Sequence, residues 1–183
     1  MKKFLLVLGI ILVIILGILT YFRVYYTKSF SPEDQVKFED GTLKIVVVYN
    51  RPSKKGRVIF GELVPFGKVW RTGANEATTF ETSKDLIFGG KSLKAGKYSL
   101  WTVPGEQSWT IIFNSEYGQW GVGFNGEANR NPAKDVVSIE ASPVGIEKEF
   151  EQFTIAVEKN MGEEHELTFI WDKTLVALPF TNQ

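Results

Sequence analysis

Between Arg51 and Arg71 the chain carries six basic side chains, Arg51, Lys54, Lys55, Arg57, Lys68 and Arg71, against one acid, Glu62. The local sum is +5. Gly56, Gly61, Gly67 and Gly73 interrupt the stretch, a pattern that leaves backbone N–H groups free to point outward. Guanidinium forks combined with free N–H groups suit a carboxylate, a phosphate or a sulfate. Trp70 beside Arg71 adds a flat face for a sugar or another planar group. The candidate ligand-binding set is Arg51, Ser53, Lys55, Arg57, Trp70, Arg71, Thr72, Asn75 and Glu76.

The same residues have an architectural reading. Residues 140–166 hold eight glutamates against Lys148 and Lys159, a sum of −6. The basic loop can pair with that region, and Arg71, Asn75 and Glu76 can pin a long loop through its backbone. A third reading makes Glu76, with Arg71 or Arg57, the base of a hydrolase acting on glycan or peptide material. A carboxylate beside arginines has a depressed pKa, which suits a base better than an acid.

Other chemistry is thinly represented. His165 is the single histidine and lies between Glu164 and Glu166, so it reads as a solvated residue at a strand start. One histidine supports neither a multi-histidine metal site nor, without partners, a triad. Gly121 to Gly126 fits GxGxxG, but no helical pattern follows and no βαβ unit surrounds it, which argues against a dinucleotide site. Cysteine is absent, which removes disulfides, thiolate catalysis and most structural zinc sites. No metal and no cofactor is expected.

The elements that must position these residues begin with an apolar run. Phe4 to Phe22 contains no charge, Pro, Asn or Gln. As a helix it covers roughly 29 Å, close to the hydrocarbon thickness of a bilayer. It ends in Leu19-Thr20-Tyr21-Phe22-Arg23, without the small-x-small pair of a cleavage site. The expected organisation is a short flank at 1–3, a transmembrane anchor at 4–22, a juxtamembrane tether at 23–40 and a β domain at 41–183. Lys2 and Lys3 favour an inside N-terminus and an extracytoplasmic domain. Tyr21, Phe22, Tyr25 and Tyr26 resemble an interfacial aromatic belt. Every acidic residue lies after Ser31, so the part beyond the anchor is net acidic and a poor nucleic-acid binder.

That part reads as mainly β. Leu43 to Tyr49 alternates after the Asp40-Gly41 turn. Ala77 to Ser83, Leu86 to Phe88, Lys91 to Leu93, Tyr98 to Val103, Ser108 to Asn114, Val136 to Ala141 and Phe150 to Lys159 follow as strands. Leu167 to Trp171 and Leu175 to Leu178 close the set, joined by Asp172-Lys173 as a turn. Gly118 to Pro132 reads as a long loop. Short strands at these intervals predict an antiparallel β-sandwich of about 8–10 strands.

Two blocks are specific enough to compare with known families: Tyr49 to Gly61, containing RPSKKGR, and Val64 to Thr79, containing VWRTGANEATT. With LKAGKYSL at Leu93 to Leu100, Pro104-Gly105 and WTIIFN at Trp109 to Asn114, the chain resembles the domain of unknown function 2911 family across roughly Leu43 to Trp171. The resemblance implies one compact, secreted or membrane-anchored β domain and transfers no catalytic residues. The expected function is a membrane-tethered domain that binds a small polar or anionic ligand or a partner protein. The hydrolase and a purely structural or assembly role are the alternatives.

Overall fold

The computed structural model describes residues 1–160 and 164–182. Glu163 of the acidic stretch and Gln183 at the end of the expected domain lie outside the described residues. The apolar run forms helix α1, Lys2–Tyr21, continued by a π-helical segment, Phe22–Tyr26, and by α2, Thr27–Phe30. Together they make one helix of 29 residues, within which an 18-residue stretch has mean hydropathy 3.0, long and apolar enough to cross a membrane. No residue of α1 is buried against the rest of the chain.

Ten strands follow among the described residues: β1 Glu33–Asp40, β2 Leu43–Asn50, β3 Thr79–Thr82, β4 Leu86–Phe88, β5 Lys91–Leu93, β6 Gly96–Val103, β7 Trp109–Asn114, β8 Asp135–Ala141, β9 Pro143–Lys159 and β10 His165–Asn182. They form two antiparallel sheets, ordered β1-β2-β3-β6-β7-β8 and β5-β4-β10-β9. The alternation in β2 places Leu43, Ile45, Val47 and Tyr49 in the core and leaves Lys44 exposed. Those side chains share one apolar cluster with Phe88, Phe153, Trp171 and Phe180 of the other sheet. Phe88 meets Phe113 at a ring separation of 5.2 Å, and Tyr49 meets Phe153 edge-on at 5.8 Å.

Residues 23–30, expected as tether, are helical, and residues 143–149, expected outside any strand, open β9; three further places differ from the sequence expectation. Residues 33–40, expected within the tether, form β1 and pair along their whole length with β2. Val36 and Phe38 pack on the core there, and only those two apolar residues mark the strand among four acids. Asp172-Lys173 is not a turn but part of the continuous β10. Asp172 takes a positive φ of 55°, and the register against β9 shifts on either side of it. This is bulge behaviour, and the Lys54 ammonium holds the Asp172 carboxylate at 2.7 Å. His165 does start a strand but is not solvated: it is buried, stacks on Phe180 and bonds Asp40 at 2.9 Å.

Candidate functional site

The 28-residue connection between β2 and β3 has no long strand of its own, and short bridges fix its path. Lys54 N–H donates to Glu151 O at 2.7 Å, and Trp70 exchanges two backbone bonds with Thr102 at 2.7 and 2.9 Å. Ala74 N–H donates to Asn50 O at 3.2 Å. Trp70 settles into an aromatic cluster, stacked on Trp171 at 6.0 Å and edge-on to Phe153 at 4.9 Å. Its indole N–H donates to Gly73 O at 2.9 Å. A Cβ on Gly73 would stand 2.9 Å from Asn50 O, and its φ of 152° is one that side chains rarely adopt, so this position requires glycine.

Three non-glycine residues of the connection, Lys55, Thr72 and Asn75, hold left-handed backbone with φ of 50°, 53° and 57°. Thr72 is β-branched, which makes it the most strained of the three. It is fully buried, and its surroundings fix it: its hydroxyl pairs with that of Thr102 at 3.2 Å, and Thr78 Oγ1 donates to its carbonyl at 2.6 Å. Asn75 is held likewise, donating to Asn50 Oδ1 and to Ser31 O, each at 3.3 Å.

The loop before η2, the 3-10 turn Pro132–Lys134, faces this connection and is itself pinned. Gly121 N–H donates to Asn75 O at 2.9 Å, and Gly123 N–H to Glu127 O at 2.8 Å. Between the two loops lies a cavity of about 470 Å³, closed at one side by Phe30 and Ser31 from the end of the helix and at another by Trp70 and Trp171. Its charged lining is Lys55, Arg57 and Arg71, with no acidic side chain and no histidine.

The nine expected residues divide cleanly. Ser53, Lys55, Arg57, Trp70 and Arg71 line the cavity; Arg51, Thr72, Asn75 and Glu76 do not. Arg51 is structural, paired with Asp34 at 3.1 Å and donating to Phe153 O and Thr154 Oγ1. Lys54, also in the basic block, bridges Asp172 and Glu149 at 2.7 and 3.0 Å, which raises its pKa, Asp172 being the larger influence. Thus part of the block does pair with acids. Glu76 faces neither Arg57 nor Arg71: it pairs with Arg23 of the helix at 3.5 Å and accepts from Asn50 Nδ2 at 3.3 Å. Two of the glycine N–H groups offered to an anion are used internally, Gly61 to Val64 O and Gly67 to Pro104 O.

Arg71 differs from every other arginine of the block. Its guanidinium forms no salt bridge and no hydrogen bond among the described residues, and its Nε is a buried donor with no partner. Burial alone pushes its pKa down. Gly121 makes the position possible, since a Cβ there would stand 2.1 Å from Arg71 Cδ and 2.7 Å from its Cβ. Gly121, Val122, Gly126, Ala128 and Trp171 are among the other lining residues and were not among the expected site residues. For Gly121, Val122 and Gly126 the only sequence signal is the glycine spacing, and Trp171 is marked only as a strand residue. Of these glycines only Gly121 packs on the arginine stem; Gly123 meets Asn125, and Gly126 holds a positive φ of 80° in the loop turn.

Chemically, the cavity offers three cations, two serines and the half-buried Trp70 ring around a concave space; of the cations, Arg57 already donates from Nε to Lys54 O at 2.9 Å and from Nη2 to Ser53 O at 2.6 Å, which leaves the Arg71 fork uncommitted. It suits an anion of a few heavy atoms with an attached apolar or planar part. A general base is missing from its lining. Among the described residues no three His, Asp or Glu come together as metal ligands.

No curated protein and no solved structure matches the chain. The family model described as "Protein of unknown function (DUF2911)" matches residues 31–180, from the residue after α2 to two residues before the end of β10. Over that span, which includes β1 to β9, β10 as far as Phe180 and both loops of the cavity, the chain belongs to the DUF2911 family.

Proposed function

We propose that this protein is a membrane-tethered binding domain. Its single N-terminal helix spans the bilayer with the N-terminus inside, and its two sheets pack as an extracytoplasmic β-sandwich. The cavity between the 51–78 and 118–132 loops takes a small anionic ligand carrying a phosphate, sulfate or carboxylate group. The observation that carries this reading is Arg71, a guanidinium with a buried, partnerless Nε in a cavity lined by two more cations and no acid. An unpaired buried donor is destabilising, by about 1–3 kcal/mol. An arginine in that state, with Gly121 making room for it, fits a site that holds a charge ready for a ligand.

The hydrolase alternative loses its base, because Glu76 lies outside the cavity and is occupied by Arg23 and Asn50. The test is a thermal-shift screen of the full-length protein in nanodiscs against phosphate, sulfate and small carboxylates at constant ionic strength. Anions that raise the melting temperature of the wild type, and fail to do so for Arg71→Gln, support the reading. A wild type indifferent to every anion contradicts it.

A further inference from the structure

A second concavity adjoins the first. It measures about 650 Å³ and is lined by Leu19, Phe22, Arg23 and Thr27 of the helix and by Trp120, Val122, Gly123, Phe124 and Asn129 of the facing loop. Its one cation, Arg23, is engaged by Glu76 and lies over the Trp120 ring at 5.7 Å. What remains is an apolar groove. Val122 is a wall of both spaces, so the groove and the cationic cavity are neighbours. The same helix supplies Phe30 and Ser31 to the cavity and Leu19 and Phe22 to the groove. Phe124, at the tip of the loop, is fully exposed, with no chain segment covering it.

From this juxtaposition we infer that the ligand is an anionic amphiphile, its charged head among Lys55, Arg57 and Arg71 and its alkyl chain along the groove between the helix and residues 120–129. The inference rests on the anion-binding reading and narrows it. Two features select an alkyl chain over a free anion. Free charge stops at the cavity: beyond Val122 the lining is mostly leucine, phenylalanine, tryptophan and valine, and its polar members are engaged within the chain, Arg23 by Glu76, the Thr27 hydroxyl by Arg23 O and the Asn129 amide by Trp120 O. In addition, one wall of the groove is the helix suited by length and hydropathy to a bilayer. A lipid can therefore pass from that surface along Phe22 without its chain crossing water. The aromatic side chains Tyr21, Phe22, Tyr25 and Tyr26 lie on the exposed helix at this level, as expected where a bilayer meets water.

The test uses the full-length protein in nanodiscs of zwitterionic phosphatidylcholine, titrated with inorganic phosphate and with hexyl phosphate at one ionic strength, read by tryptophan fluorescence. Trp70 and Trp171 report on the cavity and Trp120 on the groove. Burial of a methylene tightens binding roughly fourfold. Three methylenes in the groove therefore give hexyl phosphate a Kd about 60-fold below that of inorganic phosphate. Phe22→Ala is expected to shrink that ratio, and Arg71→Gln to weaken both ligands. Equal Kd values for the two phosphates would overturn the amphiphile and leave the anion site standing. Binding of neither would remove both. Hexyl phosphate binding that ignores Arg71→Gln would mean partition into the bilayer alone and would also overturn the inference.

Discussion

Replacing Arg71 by methionine separates a ligand-holding arginine from an architectural one. Methionine keeps an unbranched stem against Gly121 and removes the guanidinium. Were the guanidinium half of a buried ion pair, its loss would strand the partner and cost about 3–5 kcal/mol. Here no partner is stranded, and a buried donor without an acceptor disappears. Desolvation of that Nε is worth roughly 1–3 kcal/mol. The rest of the group reaches the open cavity and recovers water there, and the shorter side chain gives up some packing. The expected net effect is a ligand-free protein unchanged or up to about 1 kcal/mol more stable, or a rise of at most about 4 °C in Tm for a domain of this size. With an anion at one hundred times its Kd, the wild type gains about 2.7 kcal/mol and the variant gains nothing. Near-ultraviolet circular dichroism of the full-length protein in nanodiscs follows both melts through the tryptophan cluster. A ligand-free Arg71→Met that loses 3 kcal/mol or more would refute the reasoning, because Arg71 would then be holding the loops together.

Three further outcomes follow from the same geometry. Gly121→Ala drives a Cβ into the Arg71 stem and is expected to cost about 1–3 kcal/mol and the anion response, with Arg71→Ala in the same chain recovering part of the stability; thermal melts of the single and double variants check this. Hydrogen bonding from His165 first, then Lys159, lowers the Asp40 pKa, so its contribution is complete above about pH 4 and fades as the pH falls below that; Asp40→Asn should flatten the acid limb of a stability–pH profile, and an unaltered limb would contradict the pairing. The full chain should stay with membranes through an alkaline wash, with its domain open to protease added outside spheroplasts; a released or protected domain would contradict the proposed anchor or its orientation.

Local patterns announced much of the fold. The β-branched run in Leu43 to Tyr49 with Lys44 on its second face sufficed for β2, because one face of that strand is fully in the core and the other is less buried. β1 escaped because its stability comes from eight register pairs with β2, whereas its own sequence offers only Val36 and Phe38. Asp172-Lys173 has turn chemistry, yet Lys54, distant in sequence, uses the aspartate to bend a continuous strand. The site divides in the same way. Residue types alone marked Trp70 and Arg71 as able to meet an anion. Which cations are already spent depends on partners brought by β1, β9 and β10, as Asp34 is for Arg51 and Asp172 for Lys54. The need for glycine at 121 exists only once Arg71 lies across it.

The proposed anion in the space beside Arg71 can be located directly. Crystals of the protein soaked in selenate and recorded at the selenium edge should show an anomalous peak within hydrogen-bonding distance of the Arg71 guanidinium, between it and Lys55 or Arg57, and no such peak in Arg71→Met. A wild-type cavity empty of selenate, or a peak that persists in the variant, would contradict the account.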